Sequence, residues 1–228
     1  MKFFLDTANI NQINIFNKYP EIKGFTTNPS LIKKEKINNY LDFCKSLQKA
    51  VKKKPVSFEV ISDNVKEVYK QAIILSNIGK NVYVKIPVLN SKGQSFIPII
   101  KKLLKENIKL NITAVFSISQ IKSLVSIKSK TKHIISIFSG RIADTCRDPI
   151  EYVKFAKRKK SKFCQILWAS CREVLNIYHA KISGADIITV PSDIFEKYKK
   201  FKNYNLKKFS INTSAMFYND AKKSKFQI

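Results

Sequence analysis

Glycine and proline are scarce: five and seven residues in a chain of 228, too few for a fold dominated by turns and loops. Four cysteines, Cys44, Cys146, Cys164 and Cys171, form no CxxC pair and no finger spacing. Free thiols in a reducing compartment are the expected state. Histidine is rarer still, His133 and His179 only, and no HExxH occurs. A His-rich zinc site is therefore excluded, and no metal or other cofactor is expected. No apolar run reaches the length of a membrane span. The N-terminal MKFFLDTANI carries Asp6 where a secretory signal needs apolar residues. A soluble, cytoplasmic protein without a membrane partner is expected.

Acidic residues are the other shortage, 16 against 43 Lys+Arg, for a net charge of +27. Such a charge suggests nucleic acid or another polyanion. Arginine, however, supplies only four of the 43 basic residues: Arg141, Arg147, Arg158 and Arg172. A nucleic-acid specialist is expected to use more of it, because guanidinium matches phosphate and guanine bidentately. The lysines are spread along the chain, with modest runs at 52–54, 157–160 and 199–208. A solvated lysine surface on an enzyme is the preferred reading, with no specific nucleic-acid partner. A basic nucleic-acid-binding protein is the rival from another class.

The remaining composition is that of a globular chain, 44% hydrophobic and 26% charged, which excludes a disordered chain, a collagen or a coiled coil. At this length one domain, residues 1–228, can bury a core without disulfides. Eight short β-rich segments recur: 2–6, 23–27, 56–60, 81–87, 109–115, 133–138, 164–169 and 186–191. Helical periodicity fills the spaces, as in Leu41, Cys44, Leu47 and Val51, or Val65, Val68, Ala72 and Leu75. Stretches 97–104 and 174–182 follow the same spacing. Strand ends lie 21 to 32 residues apart, the length of one βα unit. Eight such units predict a single (β/α)8 TIM barrel of the α/β class, somewhat below the usual ~250 residues. A doubly wound open sheet is the runner-up, but its glycine-rich turn is replaced by DTANI. A lysine-rich tail follows Lys199, and one extra C-terminal helix is expected over Thr213–Lys222.

Active sites of such barrels stand at the C-terminal strand ends. Those ends are polar here: Asp6, then Thr26, Thr27 and Asn28, then Glu59, then Lys85. Asn111 and Thr113 share one face of strand five, Ser136 and Phe138 one face of strand six. Arg141 follows strand six; Ser170 and Arg172 follow strand seven. Lys85 sits in VYVKIP, where apolar burial favours the neutral amine that attacks a carbonyl. The competing reading is a lysine guarding an exposed edge strand. Asp6 reads as an acid or as the cap of the next helix. Glu59, inside VSFEV, needs a partner or a task. The two arginines suit a phosphate dianion, or surface ion pairs with Asp144 or Glu173.

The segments FFLDTAN, GFTTNPSL, NVYVKIPV, NITAVFS, IFSGRIAD, ILWASCRE and GADIITVP carry a family resemblance over nearly the whole chain. The chain resembles the short transaldolases, including the closely related fructose-6-phosphate aldolases. That resemblance implies a metal-independent, class I Schiff-base enzyme of carbohydrate metabolism, of the pentose phosphate type, acting on sugar phosphates. Lys85 would be the Schiff-base lysine and Asp6 the acid/base at the C4 hydroxyl. Glu59 and Thr113 would manage a proton-shuttling water. Asn28, Asn111 and Ser136 would hold the dihydroxyacetone unit, with Thr27 and Phe138 also lining the substrate site. Arg141, Ser170 and Arg172 would hold the phosphate. Ring-like homo-oligomers, as large as decamers, are implied likewise. The chain reads SIFSGRI where many relatives read SPFVGRI. Phe138 stands where the aldolases carry tyrosine, Glu59 where they carry glutamine, and Ser136 where they lack a hydroxyl. These choices point to a transaldolase; an aldolase of a specialised sugar pathway is the alternative.

Overall fold

The computed structural model describes residues 1–224. Its strands are β1 (Lys2–Asp6), β2 (Ile22–Thr26), β3 (Val56–Glu59), β4 (Val82–Pro87), β5 (Leu110–Val115), β6 (His133–Ile137), β7 (Cys164–Trp168) and β8 (Ile187–Val190). They form one closed barrel in sequence order, every pair parallel and β8 bonded back to β1. The predicted TIM barrel is therefore the observed fold. Helices cover it: α1 (Ile10–Phe16), α2 (Pro29–Lys34), α3 (Tyr40–Val51), α4 (Val65–Ser76), α5 (Ile97–Lys105), α6 (Ile118–Val125), α7 (Ser139–Ala143), α8 (Pro149–Lys159), α9 (Leu175–Ile182), α10 (Ser192–Phe201) and α11 (Leu206–Ser224).

Strand alternation divides the barrel into two layers. Outward residues such as Leu5, Phe25, Phe58, Val84, Ile112, Ile135, Trp168 and Ile188 pack with helical Ile13, Leu47, Val68, Ile100, Leu124, Val153 and Phe195. Each such side chain, fully buried, stabilises the fold by about 1.5–3 kcal/mol. Inward residues form a separate column of Phe4, Tyr83, Ile134, Leu167, Ala169 and Ile187, capped by Phe138. Above that column the same inward positions turn polar and become the mouth.

Asparagine, abundant in this chain, starts several helices. Asn9, Asn28, Asn39 and Asn64 accept a backbone N–H at the first turn of α1, α2, α3 and α4. Each such cap contributes about 1 kcal/mol. Asn9, not Asp6, caps α1, so the capping alternative for Asp6 is gone.

The C-terminal helix departs from expectation. It starts at Leu206, seven residues before the expected Thr213, and α10 extends through Lys199 to Phe201. The Asn205 side chain accepts the Lys208 N–H, and Phe201, Tyr204 and Phe209 pack ring against ring with centroids 5.3–5.5 Å apart. This aromatic clasp fixes the turn between the helices, while the lysines remain solvated on the surface. None of the described α11 residues is buried. Leu206, Ile211, Met216 and Phe217 are exposed. Among the described residues no helix is long and apolar enough to cross a membrane.

Candidate active site at the barrel mouth

Inward-facing strand ends surround a cavity of ≈ 430 Å³ at the C-terminal end of the barrel. Lys85 of β4 reaches it with its side chain only 8% exposed. Its Nζ lies 3.0 Å from Glu59 Oε2 and donates to the Thr27 carbonyl at 2.9 Å. The apolar strand VYVKIP thus delivers an ammonium into a polar clamp, not into hydrocarbon. The edge-strand reading fails because the barrel has no edge. Glu59 is itself positioned by Tyr40, whose hydroxyl donates to the Glu59 carbonyl at 2.7 Å.

Asp6 closes the opposite wall. It accepts from Thr26 Oγ1 at 2.7 Å and from Asn28 Nδ2 at 3.3 Å. Asn28 does two jobs: its carbonyl oxygen caps α2 through the Leu31 N–H, which aims its amide nitrogen at Asp6. Burial raises the Asp6 carboxyl above its ordinary range, and Glu59 adds to this. Lys85 and the hydrogen bonds from Thr26 and Asn28 oppose the rise. An acid so placed holds and releases a proton nearer neutrality than a free carboxyl does.

Beneath the clamp, Ser136 donates to Asn111 Oδ1 at 2.6 Å, and Asn111 Nδ2 donates to Ser57 at 3.0 Å. Ser136 lines the cavity; Asn111 and Thr27 do not. Thr27 spends its hydroxyl on the Ser57 carbonyl and offers the site only its own carbonyl. Thr113 also lines the cavity, and its buried hydroxyl has no hydrogen-bond partner among the described residues. The next residue, Ala114, has φ 54° at a break in the β5–β6 register. Ser170 has φ 62°. Left-handed backbone costs a non-glycine residue about 1–2 kcal/mol, and such strain concentrates at working sites.

The far wall is cationic. Arg141 and Arg172 line it together with Ser170 and Phe138, all following β6 or β7, and Lys34 of α2 adds a further cation to the cavity lining. The Arg141 guanidinium lies 5.7 Å from the Phe138 ring centroid. Arg172 pairs with Asp144 at 2.9 Å, both side chains more than half exposed. The surface ion pair weighed from the sequence therefore exists, but an exposed pair contributes only about 0–1 kcal/mol. Gly140 lets these parts meet: a Cβ there would overlap the Ser170 carbonyl oxygen and stand 2.8 Å from its carbonyl carbon. Cys171 borders the cavity, but burial pushes its thiol up to about 12, which removes a thiolate nucleophile.

Sequence reasoning missed Thr189 and Lys34. Thr189 shares a 2.5 Å hydrogen bond with Thr26 and so braces Asp6 from β8. The alternation in DIITVP places it inward, which was a usable signal. Lys34 carried none, being one lysine among 39.

The chain matches the family model described as Transaldolase/Fructose-6-phosphate aldolase over residues 3–227. A probable transaldolase of Sulfurihydrogenibium sp. is 34% identical over 203 residues, 88% of this chain and 89% of that protein. One from Methanococcus vannielii is 36% identical, covering 86% and 89% of the two chains. One from Brachyspira hyodysenteriae is 33% identical, covering 95% and 99%. Among solved structures, 3-hexulose-6-phosphate synthase from Salmonella typhimurium superposes with a TM-score of 0.61 at 12% identity, covering 86% of this chain and 91% of that one. The 2-keto 3-deoxygluconate aldolase from Picrophilus torridus gives 0.55 at 18% identity, covering 100% and 88%. At these identities the structural likeness is one of fold.

Proposed function

The chain belongs to the transaldolase/fructose-6-phosphate aldolase family, and from that premise we propose that it transfers a dihydroxyacetone unit from a ketose phosphate to an aldose phosphate through a Schiff base on Lys85. The supporting observation is the clamp itself: a buried lysine 3.0 Å from one carboxylate, with a second carboxylate on the facing wall.

Lys85 must shed a proton to attack the C2 ketone, and Glu59 is the acceptor beside it. The carbinolamine that forms loses its hydroxyl as water. Glu59 returns to that departing hydroxyl the proton it took from Lys85, through a bound water held by the unpartnered Thr113 hydroxyl. In the resulting iminium, nitrogen is the electron sink. Asp6 takes the proton of the C4 hydroxyl, the C3–C4 bond breaks, and its electron pair moves toward nitrogen to give an enamine. The aldose phosphate departs; a second aldose phosphate binds and each step reverses. Arg141 and Arg172 hold the phosphate, and Ser136 and Asn28 hold the dihydroxyacetone hydroxyls.

Free release of dihydroxyacetone would require protonation of the enamine carbon. Phe138 at the mouth has no proton to give, which favours transfer over simple aldol cleavage. Fructose 6-phosphate is expected to disappear only when erythrose 4-phosphate is added, yielding sedoheptulose 7-phosphate. Rapid acceptor-free release of dihydroxyacetone would defeat the transfer reading. Borohydride trapping of the adduct anywhere but Lys85 would defeat the mechanism. Phe138→Tyr is expected to raise acceptor-free release. The exposed apolar side chains of α11 support assembly onto another copy of the chain. Light scattering at physiological salt is expected to give a mass of several subunits, and a monomeric mass would refute that.

A further inference from the structure

The opposite end of the barrel carries a second cavity, ≈ 520 Å³ in volume, which the proposed reaction does not use. Its floor is the lowest layer of the inward column: Phe4, Tyr83 and Ile134, all buried. Gly24 makes room for that floor, since a Cβ there would lie 2.6 Å from the Phe4 ring. The rim is formed by Lys2, Lys23, Lys132 and Lys162, from the starts of β1, β2, β6 and β7. No carboxylate lines this cavity, and none of the four lysines is ion-paired among the described residues. Asp186, at the start of β8, is already engaged by Lys157 and Lys160.

Clustered ammonium groups repel one another, and the field reaches neighbouring groups: burial and then Lys23 push Lys54 below its ordinary value. An anion would relieve that repulsion. The floor adds a second requirement, because an apolar aromatic surface is a poor seat for a bare phosphate. Tyr83 brings a phenol that burial keeps protonated, and the Lys109 ammonium lies 5.9 Å from its ring centroid. Phe163, half-buried, adds an accessible ring to the lining. The size falls within the roughly 300–1,000 Å³ range of small-molecule sites. Lysines, as mobile point charges, suit a flexible polyphosphate better than a fixed planar anion. The geometry points to a second ligand site at this end of the barrel, one that takes a nucleoside polyphosphate. The base lies over the apolar floor against Phe163, and the phosphates lie among the four lysines.

This site is separate from the mouth. Leu167 lines the mouth, and Phe4, Tyr83 and Ile134 line the base, within one packed column. A ligand at the base therefore does not compete with a sugar phosphate above.

Calorimetric titration of the full chain with ATP tests the proposal, run at low and at physiological salt, with and without saturating fructose 6-phosphate. One-to-one binding that fructose 6-phosphate does not displace is expected. The exposed double variant Lys23→Glu/Lys132→Glu is expected to weaken it about tenfold or more, to leave turnover unchanged and to hold or raise the melting temperature, since it also relieves the lysine repulsion. Inorganic triphosphate is expected to bind at least about tenfold more weakly than ATP, because it cannot use the aromatic floor. Equal affinity for the two would overturn the assignment. So would displacement by fructose 6-phosphate, or loss of binding in Arg172→Ala, either of which places ATP in the mouth. Preferential binding of a single-stranded oligonucleotide would overturn it in favour of a general polyanion surface. So would a dissociation constant for ATP above about 1 mM.

Discussion

Replacing Lys85 by Met keeps most of the stem's volume and removes only the charge and its hydrogen bonds. The partner left behind is Glu59, 16% exposed, which loses a 3.0 Å ion pair; the Thr27 carbonyl loses a 2.9 Å donor. Orphaning a fully buried charge costs about 3–5 kcal/mol; partial exposure of Glu59 lowers this to about 2–3 kcal/mol. Glu59→Gln is milder, about 1–2 kcal/mol, because Lys85 keeps Thr27 and the nearby Asp6 charge. With both changes no orphan charge remains at the pair, so the double variant should cost about 2 kcal/mol, not the sum of about 4. Urea unfolding of the four proteins at neutral pH reads this coupling, about 2 kcal/mol. The coupling holds only if all four proteins unfold with one common slope. Additive costs within about 0.5 kcal/mol would refute the ion-pair account. A Lys85→Met protein as stable as the parent would refute it equally. The same variant, lacking an amine, should show no turnover.

Asp6→Asn should lower kcat by about 10²–10⁴-fold while the Schiff base still forms and can be trapped. The folded state raises the Asp6 pKa above the ordinary 3.8, so it holds a proton that the unfolded chain releases. The parent therefore loses stability as pH rises from 3.8 through the raised value, and the variant lacks that loss. Its melting temperature relative to the parent should rise with pH across this window; a pH-independent difference would contradict it. Arg172→Ala should raise KM for phosphorylated sugars far more than for unphosphorylated ones, at a stability cost of about 1 kcal/mol or less. An equal effect on both substrates would exclude a phosphate role. Gly140→Ala must push the Ser170 carbonyl aside and carry Arg172 with it, and a shift near 1 Å can cost about 10²-fold in kcat/KM. Activity within about threefold of the parent would show that this contact is slack.

The barrel was legible in the sequence because its cause is local. Short runs rich in β-branched and aromatic residues mark the strands, and the spacing between them leaves room for one crossover apiece. The C-terminal strand ends singled out Asp6, Glu59, Lys85, Thr113 and Ser136, all of which line the mouth, so most of it could be found without coordinates. What side chains do to one another was not legible. VYVKIP suggests an amine in hydrocarbon, but the barrel brings Glu59 to it from the adjacent β3 and the Thr27 carbonyl from the end of β2, one strand further on. Asn28 reads as a substrate contact and does line the mouth, but nothing along the chain shows that its capping bond also turns its amide onto Asp6. The early start of α11 rests on three aromatic rings that meet only once the turn exists. The basal cavity has no signature along the chain at all. Its lysines are ordinary members of an abundant type, and closing eight strands into a ring is what sets them facing one another above an aromatic floor. Residue type and period fix which way a side chain points, because they act over a few bonds. Which partners it meets is decided across strands far apart in sequence, and that requires the closed barrel.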